Sequence, residues 1–148
     1  MCTTTPTTTD RLPAVAPAAA RTFVRDSLCG AHARDAEAAA MLLASELVTD
    51  AMLCGEVPES ITLECRESEL SLEVSSTQAG AAAPSPSWQR ELTMLLMNKV
   101  ARTWGTDRVG DGVVRWCTVP TGTVPASHPA RRRLAAVGDG VLAPGAAG

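Results

Sequence analysis

The hydrophobic period of this chain changes at Gly55. Before it, apolar residues recur every three or four positions; after it, they alternate with polar ones. Ile61, Leu63 and Cys65 alternate with Thr62, Glu64 and Arg66. After a short turn at Glu67–Ser68, Leu70, Leu72 and Val74 alternate with Ser71, Glu73 and Ser75. Period two with one dry face and one wet face predicts an antiparallel hairpin. Its dry face needs a covering layer, and the helical patterns on either side provide one.

Upstream, Pro17 suits the first turn of a helix, where its missing N–H costs nothing. Ala20, Phe23, Val24 and Leu28 then form one apolar stripe, which Gly30 stops. Asp35 is a candidate N-cap for a second helix, with Ala36, Ala40, Leu43, Leu47, Ala51 and Cys54 on its buried face. Gly55 ends it, followed by Pro58. Beyond the hairpin, an Ala-, Pro- and Ser-rich loop spans Thr77 to Ser87. A third helix is expected over Trp88 to Thr103, with Leu92, Leu95, Leu96 and Val100 toward the core and Gly105 closing it. Val109 and Val113 to Val119 read as a last hairpin about Gly110-Asp111-Gly112. The predicted fold class is α/β: a two-layer sandwich with helices on one face of a largely antiparallel mixed sheet. The domain is expected over 11–119, between disordered tails at 1–10 and 120–148, with a short strand near Arg11–Val15.

Composition excludes several classes. A net charge of -3 disfavours nucleic acid, which calls for a basic field. No apolar run reaches transmembrane length, and the Thr-rich start lacks signal-peptide regions. The five cysteines form no C-x-x-C pair and are odd in number, so zinc and disulfide frameworks are poorly supported. Reduced thiols fit a cytoplasmic protein. Aromatic residues make up only 3%, so the core must come from Leu, Val, Ala and Met.

Three segments carry a family resemblance. Glu46-Leu47-Val48-Thr49-Asp50-Ala51 resembles the N-box of the GHKL superfamily, E-L-V-T-N-A in bacterial anti-sigma-factor serine/threonine kinases. Ala20-Arg21-Thr22-Phe23-Val24-Arg25 resembles the A-R-x-F-V-R of that group. Ala101-Arg102-Thr103-Trp104-Gly105 resembles its A-x-x-W-G. Together they cover roughly Arg11 to Val119, in the family's order. The resemblance implies the Bergerat-type ATPase fold, with ATP and Mg²⁺ held between the helices and the sheet.

Carried over residue by residue, the nucleotide chemistry is eroded. Glu46 matches the N-box base. Asp50 stands where the Mg²⁺-ligating Asn is expected. Their i, i+4 spacing puts both carboxylates on one helical face, where two oxygens could hold Mg²⁺; the plain alternative is two exposed acids. Ser76 falls where an Asp would read adenine, and its short hydroxyl carries no charge; it can equally be a loop residue at a strand end. The phosphate-wrapping G-x-G-L falls on Glu91-Leu92-Thr93-Met94, which holds no glycine. Arg90 offers one positive charge there, and Gly80 is a candidate displaced glycine. The family's His after the N-box is replaced by Cys54, read as a core residue.

Other candidates carry less. His32 and His128 have no ligand partners at metal spacing and read as surface residues. Ser27 and Ser45 lack a Ser-His-Asp context. Arg131-Arg132-Arg133 reads as a solvated charge run. Trp88, Met94 and Met97 could line a partner groove, but their helical spacing favours core. Scaffold kept and chemistry lost implies a regulatory protein that binds a sigma factor or an anti-anti-sigma-factor protein, with weak or lost ATP binding and no membrane or direct nucleic-acid role. A homodimer is left open. The alternatives are an active ATP-dependent serine/threonine protein kinase, with Glu46 as base and Asp50 on Mg²⁺, or an ATP-sensing regulator.

Overall fold

Helices form where the apolar spacing predicts them. The computed structural model describes residues 5–11, 16–28, 30, 32–66, 68–79, 86–122 and 131–132. Helix α1 (Ala16–Ser27) buries Ala20 and Val24 completely, with Phe23 and Leu28 half-buried. Helix α2 (Arg34–Leu53) buries Ala36, Ala40, Leu43, Leu47 and Ala51, and also Ala44, Ser45 and Val48; it packs against both α1 and the sheet. Its N-cap is Ala33, which makes no side-chain bond; Asp35 is not the cap and lies inside the first turn. There, with Glu37, it still complements the helix dipole. Gly55, at φ +74°, turns the chain out of α2 in the left-handed region that Gly tolerates. Cys54 sits half-buried in that turn rather than in the core.

The sheet lies under these helices. Its strands are β1 (Thr5–Arg11), β2 (Glu56–Cys65), β3 (Glu69–Gln78), β4 (Thr103–Val109), β5 (Gly112–Pro120) and β6 (Arg131–Arg132). They are ordered β1-β2-β3-β5-β4-β6, all paired antiparallel except β6, which runs parallel to β4. Ile61, Leu63, Leu70, Leu72, Val74, Cys117 and Val119 point from the sheet into the core against Leu43 and Val48. Burial pushes the Cys117 thiol far up from its ordinary pKa. The two-layer α/β architecture is as the sequence predicts. Among the described residues, no helix is long and apolar enough to cross a membrane.

Several boundaries differ from expectation. The sheet begins at Thr5, inside the segment read as a tail, because β-branched threonines suit an edge strand. Of the strand expected at Arg11–Val15, only Arg11 lies within the described residues, as the last residue of β1. The second expected tail contributes Pro120 to β5 and the backbone of Arg131–Arg132 to the β4 edge. Strand β3 runs on to Gln78, so Ser76 and Thr77 belong to the sheet and not to a loop. Gly80 and His128 lie outside the described residues.

Helix α3 (Ser87–Val100) ends earlier than expected, and Gly105 is a strand residue in β4. Its facing also differs. Thr93 and Met97 are buried, whereas Trp88, Leu92 and Leu95 are 57%, 53% and 56% exposed. The expectation that Leu92 and Leu95 face the core, and that Trp88 is core, is therefore corrected. Leu96, Val100 and Met94 are half-buried. Apolar residues surround this helix, so periodicity alone does not choose its inward side. The Thr93 hydroxyl, 3.1 Å from a Glu46 carboxylate oxygen, marks the side that turns in.

Candidate functional site

The last two turns of α2 aim Glu46 and Asp50 toward α3 and the end of the sheet. Asp50 sits in the final turn, where the helix dipole disfavours a carboxylate and α2 supplies no basic residue. Its compensation comes from other elements. Arg115, on the core face of β5 between Val74 of β3 and Thr106 of β4, donates from Nε to Asp50 Oδ2 at 2.7 Å. The same guanidinium donates through both terminal nitrogens to Glu56 at the start of β2, with Nη2 3.3 Å from Oε1 and Nη1 on Oε2. Ser76 Oγ donates to Glu56 Oε2 at 2.6 Å and lies 3.3 Å from the Val113 carbonyl oxygen.

Arg90 completes the charge balance from α3. Its Nε lies 3.5 Å from Asp50 Oδ1. That contact neutralises charge without making a hydrogen bond, since Oδ1 has no hydrogen-bond partner among the described residues. Two guanidiniums thus face two carboxylates. The Arg115 side chain is 4% exposed and that of Glu56 5%, so this is a buried network. Burial alone would lower the Arg115 pKa, but the hydrogen bonds it donates to Glu56 and Asp50, and their negative charges, raise it. A raised folded-state value stabilises fully below the ordinary guanidinium value and is lost only as pH climbs past it. The network's cation is therefore fixed across neutral and mildly alkaline pH.

The positions named by the resemblance converge. Glu46, Asp50, Thr93 and Arg115 line one space with Met94, Met97 and Trp104. Arg90 borders it through Asp50, and Ser76 joins through Glu56. Glu91 points to solvent. Ser76 is 2% exposed and bonded within a strand, which removes its reading as a loop residue. His32 is half-buried rather than a plain surface residue, and its Nε2 is enclosed. Among the described residues, no group of three His, Cys, Asp or Glu could hold a metal ion.

No protein-family model matches this chain. No curated protein matches it either.

As arranged, these side chains do not fit a magnesium nucleotide. The free space among them is about 20 Å³, room for about one water molecule. Small-molecule sites span roughly 300–1,000 Å³. Asp50, the candidate metal ligand, has both oxygens facing guanidiniums. Ser76, the candidate base reader, is committed to Glu56.

Two residues of this network escape a reading of the sequence, and their signals differ. Arg115 is visible in principle: it shares the parity of Val113, Cys117 and Val119, and a charge on a core parity demands a buried partner. Glu56 is hidden. Counting back by twos from Ile61 puts Glu59 and Val57 inward, but an irregularity between Pro58 and Ser60 shifts the register. Pro58 and Glu56 turn inward instead, and Val57 is 48% exposed.

Proposed function

We propose that this chain is a regulatory domain of the anti-sigma-factor kinase type whose nucleotide site has become structural, so that it acts by binding a protein partner. The observation that carries this reading is Arg115, whose buried guanidinium spans Asp50 and Glu56 where the resemblance expects Mg-ATP. A residue that neutralises both acids from inside leaves little for a metal or a triphosphate to gain. The partner is a protein of the sigma-factor or anti-anti-sigma-factor class, in the cytoplasm.

A second reading has one specific observation in its favour. Glu46, Asp50, Thr93 and Ser76 come from three separate elements and still gather around one network. An ATP-sensing or kinase domain would keep that gathering and swing Arg115 away, with Glu46 as base and Asp50 on Mg²⁺.

The test is capture of partners from the native cytoplasm on the full chain, followed by incubation with radiolabelled ATP and Mg²⁺. The proposal expects a recovered sigma-factor-class protein, retained equally with or without ATP, and no label on it. Label transfer that disappears in Glu46→Ala would replace the proposal with the kinase reading. ATP-dependent release without label would favour the sensor.

A further inference from the structure

The sheet has a second face, turned away from the helices, and one residue on it is buried against expectation. Along β5, Arg115, Cys117 and Val119 turn toward the helices, so Val114, Trp116 and Thr118 turn away. The outer face of such a sheet is ordinarily the solvated one. Trp116 is nevertheless only 6% exposed. Its cross-strand neighbours do not account for this enclosure. Gly105 on β4 has no side chain, and Glu73 on β3 is itself exposed. The indole Nε1 donates to Asp107 Oδ2 at 3.0 Å, which draws the ring over β4 and leaves its outer surface to be covered from elsewhere.

Charge around the ring selects the cover. Here the sheet forms a groove of about 580 Å³ in which acids outnumber bases. Arg66 pairs with Glu64 at 2.9 Å, and Arg102 lies 3.9 Å from Glu69. Glu73 and Asp107 have no cation among the described residues. One stands beside the indole on β3, and the other is bonded to it from β4. An aromatic ring between two unneutralised carboxylates suits a guanidinium, which stacks on the ring and donates to the acids.

The chain carries one to the right place. Strand β6 pairs in parallel with β4, Thr103 with Arg131 and Trp104 with Arg132. Carried one residue further, that register sets Arg133 level with Gly105, which is opposite Trp116. Strand alternation then gives Arg133 the same face as Thr103, the outer one. From β6 to β5 is two strand spacings, about 10 Å, and the residue between them is a glycine. We infer that the outer sheet face is a guanidinium-binding groove occupied by this chain's own segment 133–148, with Arg133 over Trp116 between Glu73 and Asp107. The segment acts as a strap that encloses the indole and supplies the cation these two carboxylates lack. The inference stands apart from the Arg115 network, which lies on the opposite face of the sheet.

Acrylamide quenching of tryptophan fluorescence in the full chain tests this. A Trp88→Phe background removes the exposed indole and leaves Trp104 and Trp116, each 6% exposed. The parent chain should be quenched weakly. Arg133→Glu should raise the quenching severalfold, with far-ultraviolet circular dichroism unchanged. Glu73→Arg combined with Arg133→Glu should restore protection, because the charges are exchanged rather than lost. A parent chain quenched as readily as a free indole overturns the inference, as does an Arg133→Glu chain quenched no more than its parent. Exposure in Arg133→Glu with no recovery in the exchanged pair overturns the placement of Arg133 beside Glu73.

Discussion

The α2–β2–β3 half of the molecule and the α3 region use their leucines in opposite ways. In the first, Leu43, Leu63, Leu70 and Leu72 are essentially inaccessible, and polar residues face out. In the second, Leu92 and Leu95 face out while Thr93 and the rim of an ion network face in. The difference teaches that apolar periodicity assigns a face only when a segment has one apolar side. Where a helix has two, a polar contact decides, and the leftover side becomes surface available for a partner.

The comparison can be broken most strongly at the charged centre. Arg115→Ala leaves buried Glu56 and partly enclosed Asp50 without their shared cation and should cost about 3–5 kcal/mol in chemical denaturation. Replacing all three by apolar residues of similar volume should recover most of that loss. A mild effect of the single substitution would mean that water reaches the network.

In the apolar half, Leu72→Ala should cost about 2–5 kcal/mol, because its side chain is fully enclosed. Thr93→Val removes the hydroxyl that reaches Glu46 and should cost about 1 kcal/mol. Leu92→Ala should change stability by no more than about 0.5 kcal/mol, because its side chain is already more than half exposed. If Leu92→Ala and Leu72→Ala cost the same, the outward assignment of α3 is wrong. The smallest contrast is chemical. Native Cys54, in its half-exposed turn, should alkylate readily, while Cys117, buried and held as the thiol, should react only on unfolding.

Much of the fold was legible because burial there follows a simple rule. The α2 stripe from Ala36 to Ala51 and the hairpin strands from Ile61 to Val74 each present one dry face, so period and burial agree along them. The α3 facing was not legible, since leucines occur on both its sides. The site was half legible. The i, i+4 spacing of Glu46 and Asp50 put both acids on one face, and Thr93, Arg90 and Ser76 followed from the resemblance. Their shared partner was not visible, because Arg115 lies 65 residues from Asp50 and 59 from Glu56 in the chain. The irregularity at Pro58–Ser60 further disguised Glu56 as a residue of the wrong parity.

The most direct measurement is calorimetric titration of the full chain with ATP and Mg²⁺, beside the Glu46→Ala, Asp50→Ala double variant. A pocket closed by Arg115 predicts no saturable heat from either protein up to millimolar nucleotide. Saturable heat from the wild-type chain that weakens in the double variant would contradict a structural pocket and return nucleotide binding to the centre of its function.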